Sequence, residues 1–299
     1  EIQKGAVIGV TTTANIQLIL RDRNNAILNN IEDYMKLPEK SEITDWEIFY
    51  YTPYESGGTD VEGHGPAMVG GRRGEDENST NPNEVAVGIC QWTTLTNANG
   101  SFNNISRLCE WLYTQDPSLC AELATFISWS NQQIFDDYGT YIANGRTGSQ
   151  LVDAFNIVNN RDHDKFLALQ MEYAKNEKMQ TMEGQGVMWL FDRPGVVAGT
   201  YMSLINWMPN AGWQNVINEG MSNEQIVIML FNKATQYTST AGSLDSRWNS
   251  QARYAIDVLE GTLDVDDIEE MTRSGHTGIY ANGANPGYIA RKMQELNLK

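Results

Sequence analysis

Residues 186–207 are apolar on almost every helical face, with Val187, Met188, Leu190, Phe191, Val196, Val197, Tyr201, Leu204 and Ile205 in one run. A helix without a polar face has to be wrapped by other elements, so this segment predicts the centre of a helical bundle. The wrapping helices are visible as apolar residues at helical spacing in 22–35, 105–113, 151–159, 165–182, 243–259 and 288–296. Asp116-Pro117-Ser118 predicts a helix start at 117 running to 129, and Ser222 caps another helix carrying Ile226, Met229 and Leu230. The chain reads as mainly α, without internal repeats.

One stretch breaks this pattern. Ser41 opens a helix containing Trp46, Ile48, Phe49 and Tyr50, and Pro53 closes it, so Glu55 projects from just past a helix end. Residues 57–83 then carry almost no apolar side chains and are punctuated throughout by Gly and Pro. A loop of this length without hydrophobic periodicity is usually functional or mobile. Residues 85–92 follow as a short buried strand, giving one small β-hairpin region between helices. Residues 5–20, β-branched and weakly charged, read as one or two strands, either an attachment arm or an edge strand. Residues 139–150 read as a loop, and those from 261 onward as an acidic, then Gly- and Asn-rich tail.

Composition sets the outer bounds. With 41% hydrophobic and 20% charged residues the chain is expected to fold, and no apolar run approaches the roughly 20 residues of a membrane span. A net charge of −17 argues against nucleic acid as a partner, since such binders need clustered Lys and Arg. Starting at Glu1, the chain reads as processed, with removal of a signal peptide left open. Cys90, Cys109 and Cys120 fit neither a zinc site nor a disulfide framework and are expected as buried free thiols, with a Cys109–Cys120 bridge as the alternative. His64, His163 and His276 lack metal-ligand spacing, so neither metal nor cofactor is expected.

At residue level, Glu55-Ser56-Gly57-Gly58 followed by Val85-Ala86-Val87-Gly88-Ile89-Cys90-Gln91-Trp92 resembles the ESGG…SxGxxQW signature of phage-tail and clostridial peptidoglycan hydrolases, which are similar to chitosanase-like lysozymes. Gly212-Trp213-Gln214 and Ser246-Arg247-Trp248, leading into Tyr254 and Leu259, resemble the helical lobe of those enzymes. The resemblance implies an α+β lysozyme-like fold of two lobes, a small β-hairpin lobe inserted between helices and a larger helical one. It divides the chain into an arm at 1–21, a glycan hydrolase domain at 22–260 and an extension at 261–299. The implied activity is hydrolysis of the β-1,4 glycan of peptidoglycan or a related amino-sugar polymer, with Glu55 as proton donor. The implied setting is extracellular or virion-associated, with phage-tail or injection-machine proteins as further partners.

Flanked by Tyr50, Tyr51 and Tyr54, with Trp92 near if the hairpin folds back, Glu55 is expected to be partly desolvated, which favours a protonated acid. Glycoside hydrolysis usually uses a second carboxylate. Asn81 stands where the related enzymes place an aspartate, which leaves Glu84, then Glu77, then Asp76 as candidates, with Glu75, Asp60 and Glu62 behind them. Tyr54, Ser56, Gln91, Trp92 and Thr93 are the expected substrate contacts. Two alternatives stand beside the glycosidase: a cysteine-dependent wall peptidase using Cys90, and a non-catalytic tail component that keeps the fold as a scaffold.

Overall fold

The computed structural model describes residues 45–72, 84–97, 100–238 and 245–298, all within one compact unit, Ile43–Lys299. The strands expected at 5–20, the helix at 22–35, and Glu75, Asp76, Glu77 and Asn81 lie outside the described residues.

The described chain is mainly helical with one small antiparallel sheet. Two short helices, α1 (Trp46–Phe49) and α2 (Thr52–Ser56), precede the sheet, made of β1 (Val69–Arg72), β2 (Glu84–Val87), β3 (Trp92–Asn97) and β4 (Gly100–Asn103). The strands form a meander in sequence order, with Val69 opposite Val87 and Val87 opposite Trp92. Eight helices follow: α3 (Asn104–Gln115), α4 (Asn131–Ala143), α5 (Gln150–Arg161), α6 (His163–Gly184), α7 (Gly195–Trp207), α8 (Asn223–Thr238), α9 (Asp245–Leu259) and α10 (Val265–Ser274); α11 (Tyr288–Glu295) completes the described elements.

The apolar run at 186–207 is the centre of the fold, but not as one helix. Pro194 removes a backbone donor and holds Arg193 in extended backbone, so a 3-10 turn, Met188–Asp192, is separated from α7. Every residue from 196 to 205 is buried. Helix α1 crosses α7 at backbone contact: a Cβ built on Gly199 would lie 2.3 Å from the Ile48 carbonyl oxygen. Glu47 Oε2 also accepts the Gly195 N–H at 2.9 Å, which satisfies an open donor in the first turn of α7.

Helices α3, α5, α6, α8, α9 and α11 lie where apolar periodicity places them. The helix expected at 117–129 is instead a 3-10 segment, Ala121–Ser128, because Asp116 Oδ1 accepts the Ser118 and Leu119 N–H groups and winds a turn there. Two helices occupy stretches read as loop or tail. Helix α4 begins in a capping box between Ser130 and Gln133 and runs into the expected loop at 139–150. Helix α10 begins in a capping box between Asp264 and Asp267, and the acidic residues of its first turn suit a helix N-terminus. Residues 261–298 therefore do not form a separate extension. Thr59 N–H donates to Thr272 at 3.0 Å and Asp60 N–H to Arg273 at 2.9 Å, stitching the end of α10 to the loop after α2.

A methyl at position 199 must push α1 off α7 in the middle of the core. We expect Gly199→Ala to cost roughly 1–3 kcal/mol in urea denaturation, the usual range for overpacking. Gly184→Ala, where an added Cβ meets nothing within 4 Å, should be neutral or slightly stabilising.

Candidate functional site

The motif glycines are explained by backbone geometry before any chemistry is considered. Gly57 ends α2 at φ 78° and ψ −169°, a conformation essentially reserved for glycine. A Cβ there would lie 2.3 Å from His64 Nδ1, and one on Gly58 would lie 2.5 Å from the Gly275 nitrogen at the end of α10. The two glycines let the chain leave Glu55 and pass directly beneath α10.

The second half of the motif is a four-residue turn, 88–91, joining β2 to β3. Gly88 has φ 72°, and a Cβ on it would strike the Gln170 side chain and the Trp92 ring. Gln91 holds φ 53°, a strained value for a residue with a side chain. Three helices hold the turn in place. Buried Gln170 on α6 accepts the Ile89 N–H at 3.1 Å and donates to the Pro66 carbonyl at 2.8 Å. Asn206 on α7 donates to the Cys90 carbonyl at 3.1 Å. Gln91 Nε2 donates to the Glu55 carbonyl oxygen, which fixes the end of α2 against the sheet.

Glu55 itself is nearly buried, its side chain 9% exposed, and its Oε1 is paired with Arg247 of α9. Glu55 is therefore an ion-pair member as well as a neighbour of the buried tyrosines. The Arg247 guanidinium also lies over the Trp248 ring, 4.8 Å from its centroid, and its Nε has no hydrogen-bond partner among the described residues. Tyr50 and Tyr51 are buried behind the pair, with the Tyr50 hydroxyl 2.9 Å from Thr200 Oγ1.

A second carboxylate enters from a helix that motif reading passed over. Trp92 Nε1 donates to Glu177 Oε2 of α6 at 3.2 Å, and Lys178 Nζ reaches the same oxygen at 3.0 Å. Adjacent residues of the Gln-Trp pair thus hold Glu55 by its backbone and Glu177 by its side chain. Both carboxylates act electrostatically on the buried Tyr51 hydroxyl and Cys90 thiol, which lie 3.6 Å apart. The Glu177 side chain is 34% exposed, far more open than Glu55.

Several expected substrate contacts are already engaged within the fold. Trp92 is 4% exposed, so its ring is a core element against Tyr173 and offers no open face for stacking. Ser56 is buried, and its carbonyl oxygen lies 3.2 Å from His64 Nδ1. The Tyr54 hydroxyl donates to the Tyr280 carbonyl at 2.7 Å. Gln91 and Thr93 are half-buried, and Thr93 lies on the opposite sheet face from Trp92 and Thr94 by strand alternation. Glu84 sits at the far end of β2, about 10 Å along the strand from Val87 and the turn, and is not brought to Glu55 among the described contacts. Asp60 is bound to His163 and Arg273, and Glu62 is exposed.

The three cysteines are free and buried. Burial pushes the Cys90 thiol up to about 12, with Glu55 and Glu177 adding to the rise against Lys178 and the Tyr51 bond. Of the three histidines, His64 faces Ser56, His163 lies between Asn159 and Asp60, and His276 is exposed. None contacts Cys90 among the described residues. No group of His, Cys, Asp and Glu among the described residues could hold a metal ion, and no described helix is long and apolar enough to cross a membrane.

Comparison with family models, with curated proteins and with solved structures gives no match to this chain.

The thiol environment has a measurable consequence. A thiol raised to about 12 is thiolate in roughly one molecule in ten thousand at pH 8, and the thiolate is the reactive form. Iodoacetamide at pH 8 should leave Cys90, Cys109 and Cys120 unmodified in the native chain by mass spectrometry and alkylate all three in denaturant. Rapid native labelling of Cys90 would overturn this account of the turn.

Proposed function

We propose that this chain is a lysozyme-like glycoside hydrolase that cleaves the β-1,4 glycan of peptidoglycan, with Glu55 as the proton donor. The observation that carries the reading is the seating of Glu55. The residue is nearly buried at the end of a short helix, beside a small sheet inserted between helices, with its backbone carbonyl gripped by Gln91. Both halves of the resembling signature therefore meet at one residue, Glu55, through its backbone carbonyl.

In this reading Glu55 protonates the glycosidic oxygen as the bond to the anomeric carbon breaks. A second carboxylate stabilises the oxocarbenium-like charge or activates the water that completes hydrolysis. Arg247 fixes the Glu55 carboxyl in one orientation and must yield Oε1 when the glycan arrives. The two-lobed arrangement, the setting on a phage tail or injection machine, and an extracellular or virion-associated location belong to the same proposal. A net charge of −17 suits a chain delivered to an anionic wall by other proteins.

The Glu55–Arg247 pair also favours a second reading, a tail component that keeps this fold as a scaffold, because an acid held by a guanidinium serves packing as well as catalysis. The cysteine-peptidase alternative loses support from the burial and surroundings of Cys90.

Reducing-end release from purified peptidoglycan separates the two supported readings. Glu55→Gln is expected to lower the rate by about 10²–10⁴, the usual worth of a general acid, with thermal unfolding still cooperative. A folded wild-type chain that releases no reducing ends from any wall preparation would leave the scaffold.

A further inference from the structure

Beside Glu55, the most developed surface is the outer face of α6. Glu177 lies one turn after Tyr173 on this helix, so the two side chains share a face. The Tyr173 ring centroid lies 5.4 Å from that of Trp92 and 5.4 Å from that of Trp111 of α3, tilted to both. Tyr173 and Trp111 are only half-buried, unlike Trp92. Burial raises the Tyr173 hydroxyl to about 12, and the Glu177 charge adds to the rise, so carboxylate and ring are electrostatic neighbours.

The Glu177 carboxylate is asymmetrically held. Oε2 takes both the Trp92 N–H and the Lys178 ammonium, whereas Oε1 accepts no hydrogen bond from the described residues. One oxygen is therefore anchored to the rigid Gly88–Gln91 turn while the other is left for an external partner. Lys178 is itself buried, which keeps the anchoring cation from swinging away.

We propose that Glu177 is the second carboxylate of the Glu55 site, and that Tyr173 and Trp111 form the adjoining ledge on which a sugar ring of the glycan rests. The proposal rests on the glycosidase reading and replaces the candidates Glu84, Glu77 and Asp76 with a residue on a 22-residue helix. Helical placement suits the role, since a carboxylate that must meet a developing charge has to be held within a fraction of an ångström. The apolar faces and polar edges of sugars suit a half-exposed aromatic ledge beside a hydrogen-bonding carboxylate. In the reaction, Glu177 takes a proton from the attacking water as its oxygen bonds to the anomeric carbon. Glu55 gives its own proton to the departing oxygen, so the two protons balance.

The test uses the full chain on purified peptidoglycan with Glu177→Gln, Glu55→Gln, Glu84→Gln, Trp111→Ala and, as control, Glu172→Gln on the exposed side of α6. Glu177→Gln is expected to lower kcat at least 100-fold and to remove the acidic limb of the kcat/KM–pH profile, with Tm within a few degrees of wild type. Trp111→Ala should raise KM several-fold with kcat within about threefold, and Glu172→Gln should match wild type. Azide should restore part of the rate to Glu177→Ala and none to Glu55→Gln. Full activity of Glu177→Gln with Glu55→Gln inactive would overturn the inference and leave the glycosidase reading standing, as would loss in Glu84→Gln instead. A wild-type chain without activity on any glycan removes both.

Discussion

The turn from Gly88 to Gln91 is the constraint on which the rest of the site depends. It lies between two antiparallel strands; its Gly88 N–H donates to the Met68 carbonyl just before β1, and further contacts go to α2, α6 and α7. Val85, Val87, Ile89 and Trp92 pack this part of the sheet into the core, and the hydrogen bonds of the turn fix how it sits against the helices. Gly88 allows the close approach, and Gln91 accepts left-handed backbone so that its side chain can reach the Glu55 carbonyl. Strain of this kind persists only where the surroundings over-determine it, and here three helices do so.

Beside that turn the core holds a cluster of buried polar groups. Arg247, Gln251 and Tyr254 lie on one side of α9, facing inward among Tyr50, Ser203 and Glu55. Pairing of Arg247 with Glu55 is a poor source of stability, because desolvating two charges offsets most of their attraction. Its structural consequence is specificity: neither partner can be removed without stranding the other in a nearly dry environment. The cation and the carboxylate come from helices 192 residues apart, so the pair forms only when the whole domain has closed.

Much of the helical frame was legible in the sequence because apolar periodicity survives burial on one face. The long helix α6 and the amphipathic helices α3, α5 and α9 announce themselves this way, and the central segment at 196–205 does so by being apolar all round. Helix α10 did not, since polar and acidic residues dominate it and a capping box marks its start; α4 carries Ile134, Phe135, Tyr138 and Ile142 at helical spacing but is interrupted by Gly139, where the loop was expected to begin. At the candidate site, Glu55 stood out through its motif, while the burial of Trp92 and Ser56 did not show, because a motif does not report burial. Glu177 carried no local signal beyond its spacing from Tyr173.

The sequence by itself determined a mainly helical chain around an apolar centre, with one glycine-punctuated β insertion and a carboxylate before it. These follow from local propensity and periodicity, which neighbours in the chain are enough to specify. Tertiary structure alone decided what surrounds that carboxylate. Arg247, Gln91 and the Trp92–Glu177 contact each join residues at least 36 positions apart, and no local pattern encodes which distant side chains meet when the helices pack.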